Sequence, residues 1–225
     1  MKDNFSEEIK TSIEKEKIIV IIRNVKQEDI IPIAEAMYAG GIRLIEIAYD
    51  AKGIISDDIT QNMIHSLVNR FNGEMFVGAG TVLNKSQVLK TKEAGGGFVI
   101  SPDTNPEVIQ YTKMQGLISM PGALTPTEIQ NAYSAGADYV KLFPASAFGS
   151  DYIKAIKAPL SHVKLLVVGG VNEDNINEYI NQGAIGVGVG SNILNHKMIA
   201  ERNYDGLMRL AQKYYFKVHN VKAND

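Results

Sequence analysis

The stretch Ala135-Gly136-Ala137-Asp138-Tyr139-Val140-Lys141-Leu142 decides the fold of this 225-residue chain, because a helix ends at its glycine and an apolar strand follows. Glycine supplies the left-handed backbone conformation that caps a helix and reverses the chain. The same arrangement recurs at Ala39-Gly40-Gly41, Ala94-Gly95-Gly96 and Gln182-Gly183-Ala184. The chain is therefore interpreted as repeated units in which a helix leads into a strand.

Short apolar runs alternate with longer segments of helical period along the whole chain, and such runs are typical of parallel strands covered on both faces. The predicted strands span residues 17–22, 42–47, 74–79, 96–100, 117–120, 137–142, 163–168 and 184–189. The predicted helices between and after them span residues 27–39, 54–71, 85–94, 104–115, 126–135, 150–158, 173–182 and 199–216. This α/β alternation favours a closed (β/α)8 barrel over a doubly wound open sheet.

The chain has no Pro-, Gly- or Ser-rich stretch that would separate two domains, so we expect residues 1–225 to form a single barrel domain. Residues 5–16 alternate charged and apolar side chains, which predicts an extra N-terminal helix before the first strand. Such a helix could plug the lower end of the barrel.

Composition excludes several classes of function. The chain has 23 basic and 25 acidic residues, so we expect neither nucleic acid nor a membrane surface as a partner. The sequence lacks an apolar run of about 18 residues and an apolar signal-peptide core, and we expect a cytoplasmic protein. The absence of cysteine excludes disulfides, thiolate catalysis and thiolate metal sites.

Three charged residues stand toward the ends of predicted strands, inside otherwise apolar sequence: Arg23, Glu46 and Lys141. Each alone could be a paired buried ion or a side chain whose charged end reaches water. In a (β/α)8 barrel, however, the carboxyl ends of all strands meet at one mouth, where active sites lie. A base, an acid and a cation converging there predict a catalytic site.

A buried lysine can act as a nucleophile because desolvation disfavours its ammonium form. The free amine that remains can attack a ketone. The resulting iminium withdraws electrons while a neighbouring C–C bond breaks, and a carboxylate such as Glu46 can move the protons. Arg23 would hold an anionic group of the substrate. These residues predict aldol chemistry that needs no cofactor.

The four histidines, His65, His162, His196 and His219, fall in helices, loops or the tail rather than at strand ends. A metal-dependent aldolase would lack its ligands, so we expect no metal site.

Two glycine-containing loops predict an anion site at the same mouth. Gly169 and Gly170 follow the seventh strand, and Gly190 and Ser191 follow the eighth. Barrels often bind phosphate there through backbone N–H groups, although ordinary tight turns also use glycine. Small residues at 78–80 and 120–122 would leave room for a ligand, with the Thr81 hydroxyl as a donor or, alternatively, as a loop cap.

Several motifs together resemble the 2-keto-3-deoxy-6-phosphogluconate and 4-hydroxy-2-oxoglutarate aldolase family, over about residues 17–216. The motifs are Gly78-Ala79-Gly80-Thr81-Val82-Leu83, Ile100-Ser101-Pro102, Met120-Pro121-Gly122 and Lys141-Leu142-Phe143-Pro144-Ala145-Ser146-Ala147-Phe148-Gly149.

The resemblance implies a class I aldolase in which Lys141 forms the Schiff base and Glu46 is the acid/base. It places Arg23, Thr81, Pro102 and Phe143 around the substrate and Gly169, Gly170 and Ser191 around its phosphate. It also implies a homotrimer that acts on a keto-acid phosphate and releases pyruvate and glyceraldehyde 3-phosphate.

The chain departs from the family pattern at two positions. Some members carry an arginine four residues after the catalytic glutamate, where this chain has Asp50, so Arg23 could serve either the carboxylate or the phosphate. Gluconate-type members often have threonine before the paired glycines, whereas Val168 resembles the galactonate-type enzymes. The sequence leans slightly toward the galactonate epimer or relaxed selectivity. A glyoxylate-forming 4-hydroxy-2-oxoglutarate aldolase and a non-aldolase phosphosugar barrel enzyme or binding protein remain the alternatives.

Overall fold

The computed structural model describes residues 2–219 as strands alternating with helices. The strands are β1 (Ile18–Ile22), β2 (Leu44–Ala48), β3 (Phe76–Gly80), β4 (Phe98–Ile100), β5 (Ile118–Met120), β6 (Gly122–Ala123), β7 (Val140–Leu142), β8 (Leu165–Val168) and β9 (Gly186–Val189). The helices are α1 (Lys2–Glu16), α2 (Ile30–Ala39), α3 (Asp57–Phe71), α4 (Lys85–Glu93), α5 (Pro106–Met114), α6 (Pro126–Ser134), α7 (Asp151–Lys157), α8 (Ile176–Asn181), α9 (His196–Ala200) and α10 (Tyr204–His219).

All paired strands are parallel, in the order β5-β4-β3-β2-β1-β9-β8-β7-β6. Only Pro121 separates β5 from β6, and proline has no N–H to donate to a ladder. The backbone hydrogen bonds to β7 nevertheless continue on both sides of Pro121. Lys141 N donates to Pro121 O at 2.8 Å, and Phe143 N donates to Ala123 O at 3.0 Å. β5 and β6 are thus two halves of one strand, and the predicted closed (β/α)8 barrel is confirmed.

The observed strands begin one to three residues later than predicted. The apolar residues among the extra ones, such as Ile42, Leu117 and Val163, are buried but lie before the strands, so their apolar character reflects burial rather than strand pairing. The predicted helix at 199–216 is wrong at its start, because the chain is interrupted between α9 and α10. Arg202 there has φ 52°, a left-handed conformation that ends a helix.

The predicted N-terminal helix is confirmed as α1, and it fills the lower end of the barrel. Ile9 and Ile13 on this helix are buried in a cluster with inward-facing strand residues that include Phe98, Ile118 and Tyr139. A second and larger apolar cluster lies between the sheet and the surrounding helices. Because α1 occupies the lower end, the free opening lies at the carboxyl ends of the strands.

Within residues 2–219, none of the helices combines the length and apolar character that crossing a bilayer requires.

Candidate active site

The carboxyl ends of the strands surround a cavity of about 580 Å³. Every site residue predicted from the sequence lines this cavity: Arg23, Glu46, Thr81, Pro102, Lys141, Phe143, Gly169, Gly170, Gly190 and Ser191. Val168 is also part of its wall. The structure therefore brings together residues that are up to 168 positions apart in the chain.

Lys141 and Glu46 lie in the interior of the barrel. Lys141 is the middle residue of β7 and is 6% exposed, and Glu46 is the middle residue of β2 and is 1% exposed. Glu46 Oε2 has no hydrogen-bond partner within the described part of the chain, although it is fully buried. Buried polar atoms without partners are rare, and they mark groups that await a ligand or a proton.

Burial shifts the pKa of each group in the direction that favours its neutral form. It lowers the pKa of the Lys141 amine; Glu46 opposes this shift and Arg23 adds to it. Burial likewise raises the pKa of the Glu46 carboxyl, against the opposing charges of Lys141 and Arg23. Because desolvation penalises each charged form, the site favours a nucleophilic amine beside a carboxyl group able to carry a proton.

Arg23 follows β1, and its side chain reaches past β2 to the end of β3. There Nη2 donates a hydrogen bond to Thr81 Oγ1 at 2.7 Å. Thr81 itself has φ 55°, an uncommon conformation for a β-branched residue, which costs on the order of 1–3 kcal/mol. The guanidinium is therefore held on the side of the mouth where Lys141 and Glu46 lie.

Phe143 and Pro102 are among the apolar residues of the wall. Lys141 Nζ lies 4.8 Å from the centroid of the Phe143 ring. An aromatic face at this distance stabilises a cation, including an iminium formed on the same nitrogen. The backbone of Pro102 approaches β6 so closely that a Cβ built on Gly122 would lie 2.5 Å from the Pro102 carbonyl carbon.

The loop after β8 is arranged by hydrogen bonds to its carbonyl groups. Ser146 N donates to Gly169 O at 3.2 Å, and Asn175 Nδ2 donates to Gly170 O at 2.9 Å. Since the C=O and N–H of a trans peptide point in opposite directions, the next amides, those of Gly170 and Val171, point away from these partners. Gly169 and Gly170 have φ 96° and 78°, which glycine adopts without strain.

Asp50 occupies the position four residues after Glu46, where some members of the resembled family carry arginine. Its side chain does not line the cavity. Its carboxylate accepts hydrogen bonds from the backbone N–H groups of Lys52, Ile54 and Ile55, at 3.0, 2.8 and 3.0 Å. These bonds lower the pKa of the Asp50 carboxyl. Asp50 therefore organises the loop between β2 and α3. It borders a neighbouring cavity of about 790 Å³ that shares Arg23 and Thr81 but contains neither Lys141 nor Glu46.

The small residues near the mouth do not leave space for a ligand as the sequence suggested. A Cβ built on Gly78 would lie 2.5 Å from Cγ of Phe98, and one on Gly80 would overlap the Glu46 carboxylate. Gly122 is close to Pro102 in the same way. These positions are small because neighbouring protein atoms occupy the space.

The cavity is also lined by residues that the sequence analysis did not assign to the site, including Asn24, Leu83, Asn192 and His196. His196 does not end a strand, but the loop after β9 places it on the wall of the cavity. The sequence feature that could have indicated this placement is that His196 follows Ser191 by five residues. Within residues 2–219, no group of three or more His, Asp or Glu side chains is arranged to hold a metal ion.

Comparisons with known proteins point to a single enzyme family. The family model described as "Aldolase: KDPG and KHG aldolase" matches residues 9–210. The 2-dehydro-3-deoxy-6-phosphogalactonate aldolase of Escherichia coli is 32% identical over 82% of this chain and 88% of that protein. The 2-dehydro-3-deoxy-phosphogluconate aldolase of Treponema pallidum is 28% identical over 90% of this chain and 93% of that protein.

Among solved structures, the KDPG aldolase of Legionella pneumophila, with pyruvate captured as a covalent carbinolamine intermediate, superimposes with a TM-score of 0.79. It is 29% identical and covers 88% of this chain and 93% of that chain.

Proposed function

Because the chain belongs to the KDPG and KHG aldolase family, we propose that it cleaves 2-keto-3-deoxy-6-phosphogluconate or its galactonate epimer through a Schiff base on Lys141. The products are pyruvate and glyceraldehyde 3-phosphate. The observation that carries this proposal is the burial of Lys141 beside Glu46, with the pKa of the amine lowered and that of the carboxyl raised. The family match favours this reaction over a phosphosugar epimerase, a synthase or a non-catalytic binding protein.

Lys141 begins the reaction as a free amine that attacks the C2 ketone and forms a carbinolamine. Glu46 donates a proton to the departing hydroxyl, which leaves as water, and an iminium remains. The Glu46 carboxylate then accepts the C4 hydroxyl proton while the C3–C4 bond breaks, and the bonding electron pair moves toward the iminium nitrogen. The aldehyde leaves, Glu46 returns the proton to C3 of the enamine, and water releases pyruvate from Lys141.

The two ends of the substrate fit different parts of the wall. We assign its carboxylate to Arg23 and Thr81, since their hydrogen bond holds the guanidinium near the catalytic pair and Asp50 offers no cation. A guanidinium fork matches the two oxygens of a carboxylate. The phosphate is assigned to the loop of Gly169 and Gly170, which directs the amides of Gly170 and Val171 away from its internal partners, and to Gly190 and Ser191 of the loop after β9.

The choice between epimers depends on Val168, whose side chain lines the cavity without a hydroxyl group. Without a hydrogen bond to the C4 hydroxyl, we propose relaxed selectivity with a slight preference for the galactonate epimer. The similarity to both a galactonate-type and a gluconate-type aldolase is compatible with either substrate.

Trapping with pyruvate and borohydride tests the proposal. Reduction of the imine should add one pyruvic acid less one oxygen atom to the peptide that contains Lys141, and Lys141→Ala should abolish the addition. Lys164→Ala is the matched control, because Lys164 pairs with Glu14 at the other end of the barrel. An adduct on another lysine, or none, would overturn the proposal. Release of pyruvate with glyoxylate from 4-hydroxy-2-oxoglutarate alone would instead identify the non-phosphorylated reaction.

Assembly and location complete the proposal. We place the enzyme in the cytoplasm as a homotrimer, in keeping with its resemblance to the family, and sedimentation analysis of the purified chain tests the trimer.

A further inference from the structure

His196 stands on the wall of the cavity that the proposed phosphate site occupies. It begins α9, on the loop that also carries Ser191 and Asn192, and its side chain is exposed, so a ligand in the mouth can reach it. Asn192 Nδ2 donates to Val171 O at 2.7 Å, which joins this loop to the loop after β8. His196 therefore belongs to the phosphate side of the mouth.

The loop that carries His196 is held in place at both ends. The amides of Ile193 and Leu194 each donate to Gly190 O at 3.0 Å. Asn195 Oδ1 accepts from the amides of Lys197 and Met198, both at 3.1 Å. Because the residues on either side of His196 are fixed, its imidazole is presented from a defined backbone position.

The charged groups around the cavity indicate how His196 could contribute to phosphate binding. Of the residues that line the cavity in the described chain, four have ionisable side chains: Arg23, Glu46, Lys141 and His196. Lys141 and Glu46 are the proposed reacting pair, and the Arg23 guanidinium donates to Thr81 at the end of β3 and is assigned to the carboxylate. A phosphate monoester carries about −1.5 to −2 charges near neutral pH. His196 is the one remaining side chain of this wall that can offset that charge.

We infer that His196 is a specificity-determining residue whose imidazolium donates a hydrogen bond to the phosphate of the substrate and so selects phosphorylated aldehydes. This inference rests on the proposed function, since it assumes that the phosphate lies against Gly169, Gly170, Gly190 and Ser191. His196 takes no part in the bond-breaking step.

Binding of glycerol 3-phosphate, a non-reacting analogue of the aldehyde, gives the direct test. His196→Gln keeps similar size and hydrogen bonding but loses the charge, and calorimetry should show roughly tenfold weaker binding. His196→Arg should retain binding. His65→Gln is the matched control, because His65 lies on the exposed face of α3, where it forms a hydrogen bond with Asn69. Equal binding by wild type and His196→Gln would overturn the inference.

The aldol condensation of pyruvate separates phosphate selection from catalysis. With glyceraldehyde 3-phosphate, His196→Gln should lose roughly tenfold in kcat/KM, and with unphosphorylated glyceraldehyde it should match wild type. Equal losses with both aldehydes would contradict the inference and place His196 in the chemistry or the fold. If phosphate binding depends on His196 but the chain makes no aldol product, the inference is supported and the proposed function is refuted.

Discussion

The carboxylate of Glu46 occupies the space that a side chain on Gly80 would require. The two residues lie on adjacent strands, where Gly80 pairs with Ala48 two positions beyond Glu46. A Cβ built on Gly80 would overlap Glu46 Oε1 and approach Cγ at 2.6 Å. Glu46 is 1% exposed, so a side chain on Gly80 would displace its carboxylate toward the cavity. The absence of a side chain at Gly80 therefore leaves room for Glu46, the proposed acid/base group.

Gly80→Ala should inactivate the enzyme by displacing Glu46. We expect kcat for cleavage to fall roughly 100-fold, which is a typical contribution of a positioned acid/base. Overpacking should also cost about 1–3 kcal/mol of stability, measured by denaturant unfolding. A double-mutant cycle provides the check: in a Glu46→Gln background, Gly80→Ala should cause little further loss of kcat. Additive losses would show that Gly80 acts independently of Glu46.

The pH dependence of adduct formation should report the charges around Lys141. The free amine reacts, so the rate of borohydride-trapped adduct rises with pH through the pKa of Lys141, which burial lowers. Arg23→Gln removes a like charge and should move the midpoint to higher pH, because Arg23 lowers that pKa. Glu46→Gln removes the opposite charge and should move it to lower pH. Shifts of the same sign in both variants would contradict this account.

Arg23→Gln should also weaken the binding of pyruvate, which has a carboxylate but no phosphate. Loss of a charge-assisted hydrogen bond should raise the pyruvate KM in the condensation reaction roughly tenfold. The KM for glyceraldehyde 3-phosphate should change little. The opposite pattern would assign Arg23 to the phosphate.

Val168→Thr should change the preference between the two epimers. Thr has nearly the same shape as Val, and its hydroxyl can bond the C4 hydroxyl of one epimer, worth about 0.5–1.5 kcal/mol. The ratio of kcat/KM values should move roughly 2- to 12-fold toward the gluconate epimer. Val167→Thr is the matched control, because Val167 packs in the cluster between sheet and helices and should not alter the ratio. An unchanged ratio in Val168→Thr would exclude this position as a determinant.

The barrel, the convergence of Lys141 and Glu46 at its mouth and the glycine loops could be predicted because each leaves a local signal. Helix-capping glycines mark the repeat, and a charge such as Lys141 inside an apolar strand is conspicuous. The relation between Gly80 and Glu46 leaves no such signal, since it exists only when β2 and β3 pair. His196 was missed for a related reason, because the return of its loop depends on contacts with Gly190 and Val171. The bonds around Asp50 likewise follow from the path of a loop that apolar periodicity does not describe.

The N-terminal helix at the bottom of the barrel has a consequence for the order of events in each turnover. Ile9 and Ile13 close that end in the part of the chain that the structure describes, so we expect molecules to enter and leave through the mouth. In the proposed reaction the aldehyde lies nearer the exterior, whereas the pyruvyl group remains attached to Lys141 beneath it. Departure is then sequential, with the aldehyde first and pyruvate last, and in condensation pyruvate must arrive before its partner. In the proposed reaction, the covalent bond to Lys141 and the helix that closes the lower end therefore act together to favour a compulsory order of binding and release.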